Sequence, residues 1–311
     1  MTQFKQYFAI LLVMIISGCS LLQQAEDPYE KDQLPMAKNQ EGFSLGLYDN
    51  GKIENQRSYT TNKSTFKKQV VFGNKTSEPG KFLLLIFNHG QQLNFEIDGK
   101  NVNKYLFQLE ANQYEEMEVT IKGLEKGFHS IHYVIVREPY KKMKSLEETL
   151  RYSQLYTVRL NILKDIEEIP KERPTLTRLG YESKEKRIHG TLISKPDHLS
   201  HAWLNQRLDQ KKTYSYQIIY GNKESRPVDL YLVKLLDWEQ VAFDDKETVI
   251  YDQLQTDTDK IIDQSLDSSM IEGEQSLVIL YLPEPFEPLS EEEVEHTMSP
   301  EMSNRTILST D

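Results

Sequence analysis

Apolar and polar positions alternate with a period of two along much of this chain. Phe43, Leu45 and Leu47 alternate with small or polar residues, as do Leu93, Phe95 and Ile97. Met117, Val119 and Ile121 repeat the pattern, and Ile131, Tyr133 and Ile135 follow it. Successive side chains of a strand point to opposite faces, so each run predicts a half-buried strand. Phe82 to Phe87 and Leu230 to Leu236 are continuous apolar runs, which suit central strands. The runs recur at roughly ten-residue spacing between Gly, Asn and Pro clusters, which predicts an all-β sandwich. Helix is scarce. Ser145-Leu-Glu-Glu148 opens like a capping box and predicts a short helix to Tyr152, with Ser290-Glu-Glu-Glu-Val294 at the equivalent later place. Final strands are expected over Leu155–Leu163 and Arg305–Leu308.

A repeat organises these elements. Gln69-Val-Val-Phe-Gly-Asn-Lys-Thr-Ser-Glu-Pro79 reappears as Gln217-Ile-Ile-Tyr-Gly-Asn-Lys-Glu-Ser-Arg-Pro227, with six of 11 positions identical at an offset of 148. Gly127 to Pro139 matches Gly273 to Pro285 at an offset of 146. That period is too long for a solenoid unit, so it marks a duplicated domain. In the shared element the glycine can take a positive φ and the proline cannot join a central ladder, which predicts a turn. The resulting division is 1–18 signal, 19–41 tether, 42–164 first sandwich, 165–178 linker and 179–311 second sandwich. Pro170 and Pro174 flank a charged run in the linker and are expected to stiffen the connection. The stretch Glu125-Lys-Gly-Phe-His-Ser-Ile-His-Tyr-Val resembles the loop-into-strand ending of extracellular immunoglobulin-like modules. That resemblance implies two tandem immunoglobulin-like sandwiches and no particular activity.

The N-terminus carries a different signal. Lys5 precedes a short apolar core ending at Ile16, and Ser17-Gly18 lead into Cys19, the single cysteine of the 311 residues. The core falls short of the ~20 residues needed to span a bilayer and has the length of a signal peptide. The order of positive flank, apolar core, small residues and cysteine resembles a bacterial lipoprotein signal. The resemblance implies that Cys19 is lipidated and becomes the first mature residue, placing the protein outside the cytoplasm and anchored to the cell membrane. Two or more acyl chains would make that anchoring stable. Leu21 to about Glu41 is polar and proline-broken, too poor in apolar surface to order itself, and reads as a flexible tether.

Charge changes the list of partners. The net charge of −11 repels nucleic acid and anionic lipid headgroups, so the lipid must hold the protein at the membrane. With Cys19 modified, no thiol remains for a disulfide, and each sandwich must be stabilised by its core.

Candidate chemistry is thin. Gly42-Phe-Ser-Leu-Gly46 satisfies the Gly-x-Ser-x-Gly pattern, but a nucleophile elbow needs a strand before it and a helix after it. Here a tether precedes and a strand follows, so Ser44 is expected to be an ordinary outward-facing strand residue. His129 and His132 sit three apart in a predicted strand, on opposite faces, and cannot share a metal. Asp197-His198-Leu-Ser-His201 could gather on one helical turn but lacks further ligands. Asp244-Asp245, Asp257-Thr-Asp259 and Glu291 to Glu293 read as solvated loops, without the spacing of a calcium loop. Trp203 and Trp238 could form a stacking platform. Trp238, however, follows a core strand where the first copy has Gly90, and is expected at the edge of a core.

No catalytic residue, cofactor site or metal site is expected, and the chain reads as non-enzymatic. The expected function is that of a surface lipoprotein binding another envelope protein, as scaffold or accessory subunit. The alternative is an envelope polysaccharide-binding lipoprotein. A row of exposed aromatics on one sheet face would favour the polysaccharide. An unpaired strand edge or hydrophobic patch would favour the protein partner.

Overall fold

The computed structural model describes residues 41–177, 179–183, 188–196, 201–244, 246–290 and 298–310. Cys19 and the tether as far as residue 40, Asp197, His198, Asp245 and Glu291 to Glu293 lie outside the described residues. Sixteen principal strands fall into two sets of eight. The first set is β1 (Phe43–Asp49), β2 (Ser58–Thr61), β3 (Thr65–Asn74), β4 (Gly80–Asn88), β5 (Tyr105–Leu109), β6 (Gln113–Lys122), β7 (Gly127–Arg137) and β8 (Leu155–Lys164). The second is β9 (Gly190–Ser194), β10 (Asn205–Leu208), β11 (Thr213–Asn222), β12 (Val228–Leu236), β13 (Val249–Leu254), β14 (Thr258–Asp267), β15 (Glu274–Pro283) and β16 (Thr306–Thr310). One short helix, α1 (Leu146–Tyr152), precedes β8, and the Ser145 side chain accepts from the Glu148 amide as the box predicts.

Strand order makes both sets immunoglobulin-like. In the first, β1-β3-β6 form one sheet, extended past β6 by Phe95–Ile97, and β2-β8-β7-β4 form the other, with β5 beside β4. In the second, β9-β11-β14 face β10-β16-β15-β12, with β13 beside β12. Each set thus splits as A-B-E against G-F-C, with a short strand (β2 or β10) running parallel to the last one. The chain is two tandem β-sandwiches in sequence.

In space the two sandwiches pack against each other. Leu83, Leu85, Val134 and Val136 point out of the first sandwich, and Val233, Leu235, Val278 and Leu280 out of the second. Together they form a third apolar core between the halves, with Phe128, Tyr231, Trp238, Tyr251 and Phe286. The four central strands are therefore buried on both faces, which is why Phe82–Phe87 and Leu230–Leu236 are apolar without alternation. The linker lies on this layer. Ile166, Ile169 and Leu176 pack against it, and the Arg173 guanidinium sits 4.7 Å from the Phe286 ring centroid.

Ser44 corrects an expectation. It points away from the core formed with Phe43 and Leu45, as alternation requires, yet only 3% of it is exposed. Its row runs Ser44–Gly73–Tyr114 across three strands, and Tyr114 packs with Tyr48 and Val71 in a small second cluster. The outer face is covered, and the Ser44 hydroxyl has no hydrogen-bond partner there.

Candidate binding sites

The interface between the halves follows the repeat. β4 and β12 each end in a tight turn, and the second turn residues are Gly90 (φ 77°) and Trp238 (φ 69°). Beyond the turns lie Gln92 and Gln240, also 148 residues apart. The Gln92 amide donates to the Gln240 side-chain oxygen at 2.7 Å, and the Gln240 amide donates to that of Gln92 at 2.7 Å. Such reciprocity is the mark of a two-fold contact, here within one chain. Trp238 departs from the symmetry. It is fully buried between the halves rather than at a core edge, and its indole N–H donates to the Pro139 carbonyl at 3.1 Å. Arg305 crosses the same boundary, donating to the carbonyls of Glu138 and Tyr152. Burial lowers its pKa from the usual arginine value to about 10.

A cleft opens beside this layer. Leu45, Arg57, His132, Thr157, Val158 and Arg159 line it from the first half, and Pro283, Leu289, Met298, Ser299 and Pro300 from the second, around about 260 Å³. His132 on β7 and Arg159 on β8 are direct cross-strand partners. Hydrogen bonds fix the opposite wall. Arg159 and Asn161 both donate to the Glu287 carbonyl at 3.0 and 2.9 Å, and the Ser58 hydroxyl donates to the Leu289 carbonyl at 2.8 Å. Of the polar lining residues only His132 is fully buried, and neither ring nitrogen has a hydrogen-bond partner of good geometry. Burial, with Arg159 and His89 nearby, lowers its pKa to about 3. Burial likewise lowers Arg159 to about 10, and it lowers Arg57.

Sheet edges supply the third feature. β13 is covered on its outer edge: the Thr177 amide donates to the Tyr251 carbonyl at 2.9 Å, and the Tyr251 amide to the Thr177 hydroxyl at 3.1 Å. β5 occupies the same place in the first half, and register makes Leu106 the equivalent of Tyr251. Among the described residues nothing bonds to the outer edge of β5. Leu106 itself is 49% exposed.

Among the described residues, those singled out by spacing do not gather into a site. His129 and His132 lie on opposite faces. The His129 ring accepts from Asn88 at 3.0 Å and donates to the Glu125 carbonyl at 2.8 Å. Asp257 is exposed, whereas Asp259 is buried and accepts from the Ile188 amide. Trp203 is buried in the second core. Among the described residues no group of three or more His, Cys, Asp or Glu could hold a metal ion. Sequence reasoning missed Arg57, Arg159 and Leu106. The first two come from separate loops and strands with no local spacing to link them. Leu106 had a usable signal, a leucine at a polar-facing position of its strand.

No protein-family model matches the chain, and no curated protein matches it. Solved structures match at low similarity. The Salmonella enterica SafA pilin–SafB chaperone complex is 10% identical, over 86% of this chain and 98% of that one, with a TM-score of 0.28. The CsuC–CsuE chaperone–tip adhesion subunit complex of Acinetobacter baumannii is 10% identical, over 87% and 99%, also at 0.28. Red sea bream transglutaminase is 8% identical at a TM-score of 0.24, matched over 88% of this chain but only 32% of its own. Likenesses this weak carry no argument about activity or partner. The immunoglobulin-like assignment stands on the strand order.

Proposed function

We propose that this chain is a non-enzymatic lipoprotein of the bacterial envelope, anchored through Cys19, that holds another envelope protein by strand addition along β5. The open edge of β5 carries this reading. Unpaired edges template pairing with other chains, and folded proteins usually cover them, as Thr177 covers β13. Leaving the equivalent edge open beside an exposed Leu106 gives an extended partner segment both backbone partners and an apolar contact. A polysaccharide finds less support. Among the described residues the exposed large aromatics are Tyr140 and Tyr181, one in each half, not a row on one face.

Two measurements test the reading. A fatty-acid probe should label the wild-type protein and not Cys19→Ala; labelling of both would remove the anchor. A photo-crosslinker placed beside Leu106 in living cells should capture one envelope protein, and Leu106→Pro should abolish that capture. An unchanged crosslink in Leu106→Pro, or crosslinks to glycan alone, would overturn strand addition.

A further inference from the structure

The cleft between the halves has a chemistry that the anchor and the open edge leave unused. Its two guanidiniums, Arg57 and Arg159, sit in a protein of net charge −11, yet among the described residues neither forms an ion pair. The neighbouring carboxylates are turned to other tasks. Glu54, beside Arg57, is held by Lys68 at 2.6 Å. Glu284, near Arg159, is paired with Arg226 and accepts from the Met298 amide at 2.8 Å. Glu287, also near Arg159, is exposed and offers the cleft its carbonyl rather than its carboxylate. Among the described residues Arg57 donates only to the carbonyls of Glu54 and Gln56, and Arg159 only to that of Glu287. Each therefore keeps donors unspent, and a guanidinium has five.

His132 adds an independent sign. A buried imidazole whose ring nitrogens find no partner of good geometry costs of the order of 1–3 kcal/mol, and such a group in a native structure calls for an explanation. It lines the cleft beside Arg159, on the sheet face turned toward the second half. Of the remaining lining residues Thr157 and Ser299 are polar, and Leu45, Val158, Pro283, Leu289, Met298 and Pro300 are apolar. Cations at one side and an apolar set of side chains beside them suit a molecule that is charged at one end and has an apolar body. At about 260 Å³ the space falls just below the ~300–1,000 Å³ of pockets for drug-sized ligands.

We propose that this cleft binds a small organic acid, its carboxylate held by Arg57 and Arg159 and its apolar body against Leu45, Leu289 and Met298. Arginine is suited to the role because its planar fork matches a carboxylate and stays charged at every physiological pH. His132, neutral in this setting, has one ring N–H to give and one nitrogen to accept, so it can complete the carboxylate's hydrogen bonds. Free inorganic phosphate shares the charge but would leave the apolar walls without a contact.

The test uses the full chain in detergent and three probes: 4-fluorobenzoate, its neutral analogue 4-fluorobenzamide, and inorganic phosphate. Fluorine NMR should show saturable binding of 4-fluorobenzoate at one site. Arg159→Gln and Arg57→Gln should each weaken it at least tenfold, with melting temperatures unchanged to show that both variants fold. The benzamide should bind at least tenfold more weakly than the benzoate, and phosphate should fail to displace the benzoate at equal concentration. Absence of saturation, binding indifferent to both substitutions, or benzamide binding equal to benzoate would each overturn the proposal. Displacement by phosphate at equal concentration would overturn the organic body and leave an anion hole. Leu106→Pro should bind 4-fluorobenzoate like the wild type, so failure at the cleft and failure at the β5 edge are read separately.

Discussion

Phe72, Phe82 and Phe107 meet in the middle of the first sandwich, with ring centroids 4.8 to 5.9 Å apart. At the matching places the second sandwich has Tyr220, Leu230 and Asp252. There the Tyr220 hydroxyl donates to Asp252 at 2.7 Å, and Lys260 reaches both carboxylate oxygens at 2.8 and 2.7 Å. One position is filled by rings packed tilted and edge-on, and its duplicate by a buried ion pair, while strand order stays the same. The comparison separates what the fold demands from what it tolerates. It demands strand pairing and two apolar faces on the central strands. It tolerates a polar centre, provided every member finds a partner.

The asymmetry is sharpest at the turns, where Trp238 stands against Gly90. Trp238→Ala should destabilise the protein by about 3–5 kcal/mol, the usual cost of emptying a large buried aromatic site, with the lost Pro139 bond adding to it. Chemical denaturation would measure it, and a loss below about 1 kcal/mol would show that the layer between the halves contributes little to stability. The Gly90 side has no room for the reverse exchange. A Cβ there would lie 2.8 Å from the Val249 side chain, at φ +77°.

Asp252→Ala should come next, costing about 3 kcal/mol, because removing one member of a buried pair strands the other. Lys260 keeps some access to water, which places the loss at the lower end of that range. The double replacement Asp252→Leu with Lys260→Met should recover most of the stability, since apolar residues of similar volume commonly replace buried pairs without loss. Failure of the double variant to recover would mean that the second sandwich needs its polar centre, and the comparison would then lose its lesson.

Much of this was legible in the chain. Period-two runs placed the strands, and the Gly-Asn-Lys-x-Ser-x-Pro repeat made the halves equivalents. Even the shared layer left a trace: Phe82–Phe87 and Leu230–Leu236 do not alternate because both of their faces are buried. What alternation cannot say is which surface covers the second face, since that is set by contacts between residues about 150 positions apart. The cleft was illegible for the same reason. Arg57, His132, Arg159 and Met298 converge from four separate segments, and each alone reads as an ordinary surface or core residue. Ser44 failed differently. Its facing was right, but the sheet's outer face carries a cluster of its own.

His132 offers a pH test on one side of the comparison only, because its equivalent in the second half is Val278. In the unfolded chain it takes up a proton near pH 6.5, and in the folded protein only near pH 3. Below pH 6.5 the unfolded state therefore binds more protons, and stability is lost as pH falls toward 3. At one pKa unit per 1.36 kcal/mol, the loss from this group should reach about 2 kcal/mol at pH 5. His89, lowered mainly by burial, adds to the same trend. His132→Leu should flatten the difference in stability between pH 7 and pH 5 by that amount, and an unchanged slope would mean that water already reaches the ring.

The smallest effect is expected at the edges, and there the difference between the halves is cleanest. Proline removes a backbone N–H, so its cost depends on whether that group was bonded. Thr177→Pro removes both the N–H that donates to the Tyr251 carbonyl and the hydroxyl that accepts from the Tyr251 amide, uncovering the edge at Tyr251, which should cost about 1–2 kcal/mol. Leu106→Pro, at the equivalent register, removes an N–H that bonds nothing described, and should change stability by less than about 1 kcal/mol. Equal costs at the two positions would mean that β5 is capped after all, and strand addition there would have no free backbone to use. A neutral Leu106→Pro that also loses its partner in cells would instead tie that edge to binding, since a change invisible to folding could then act only at the contact.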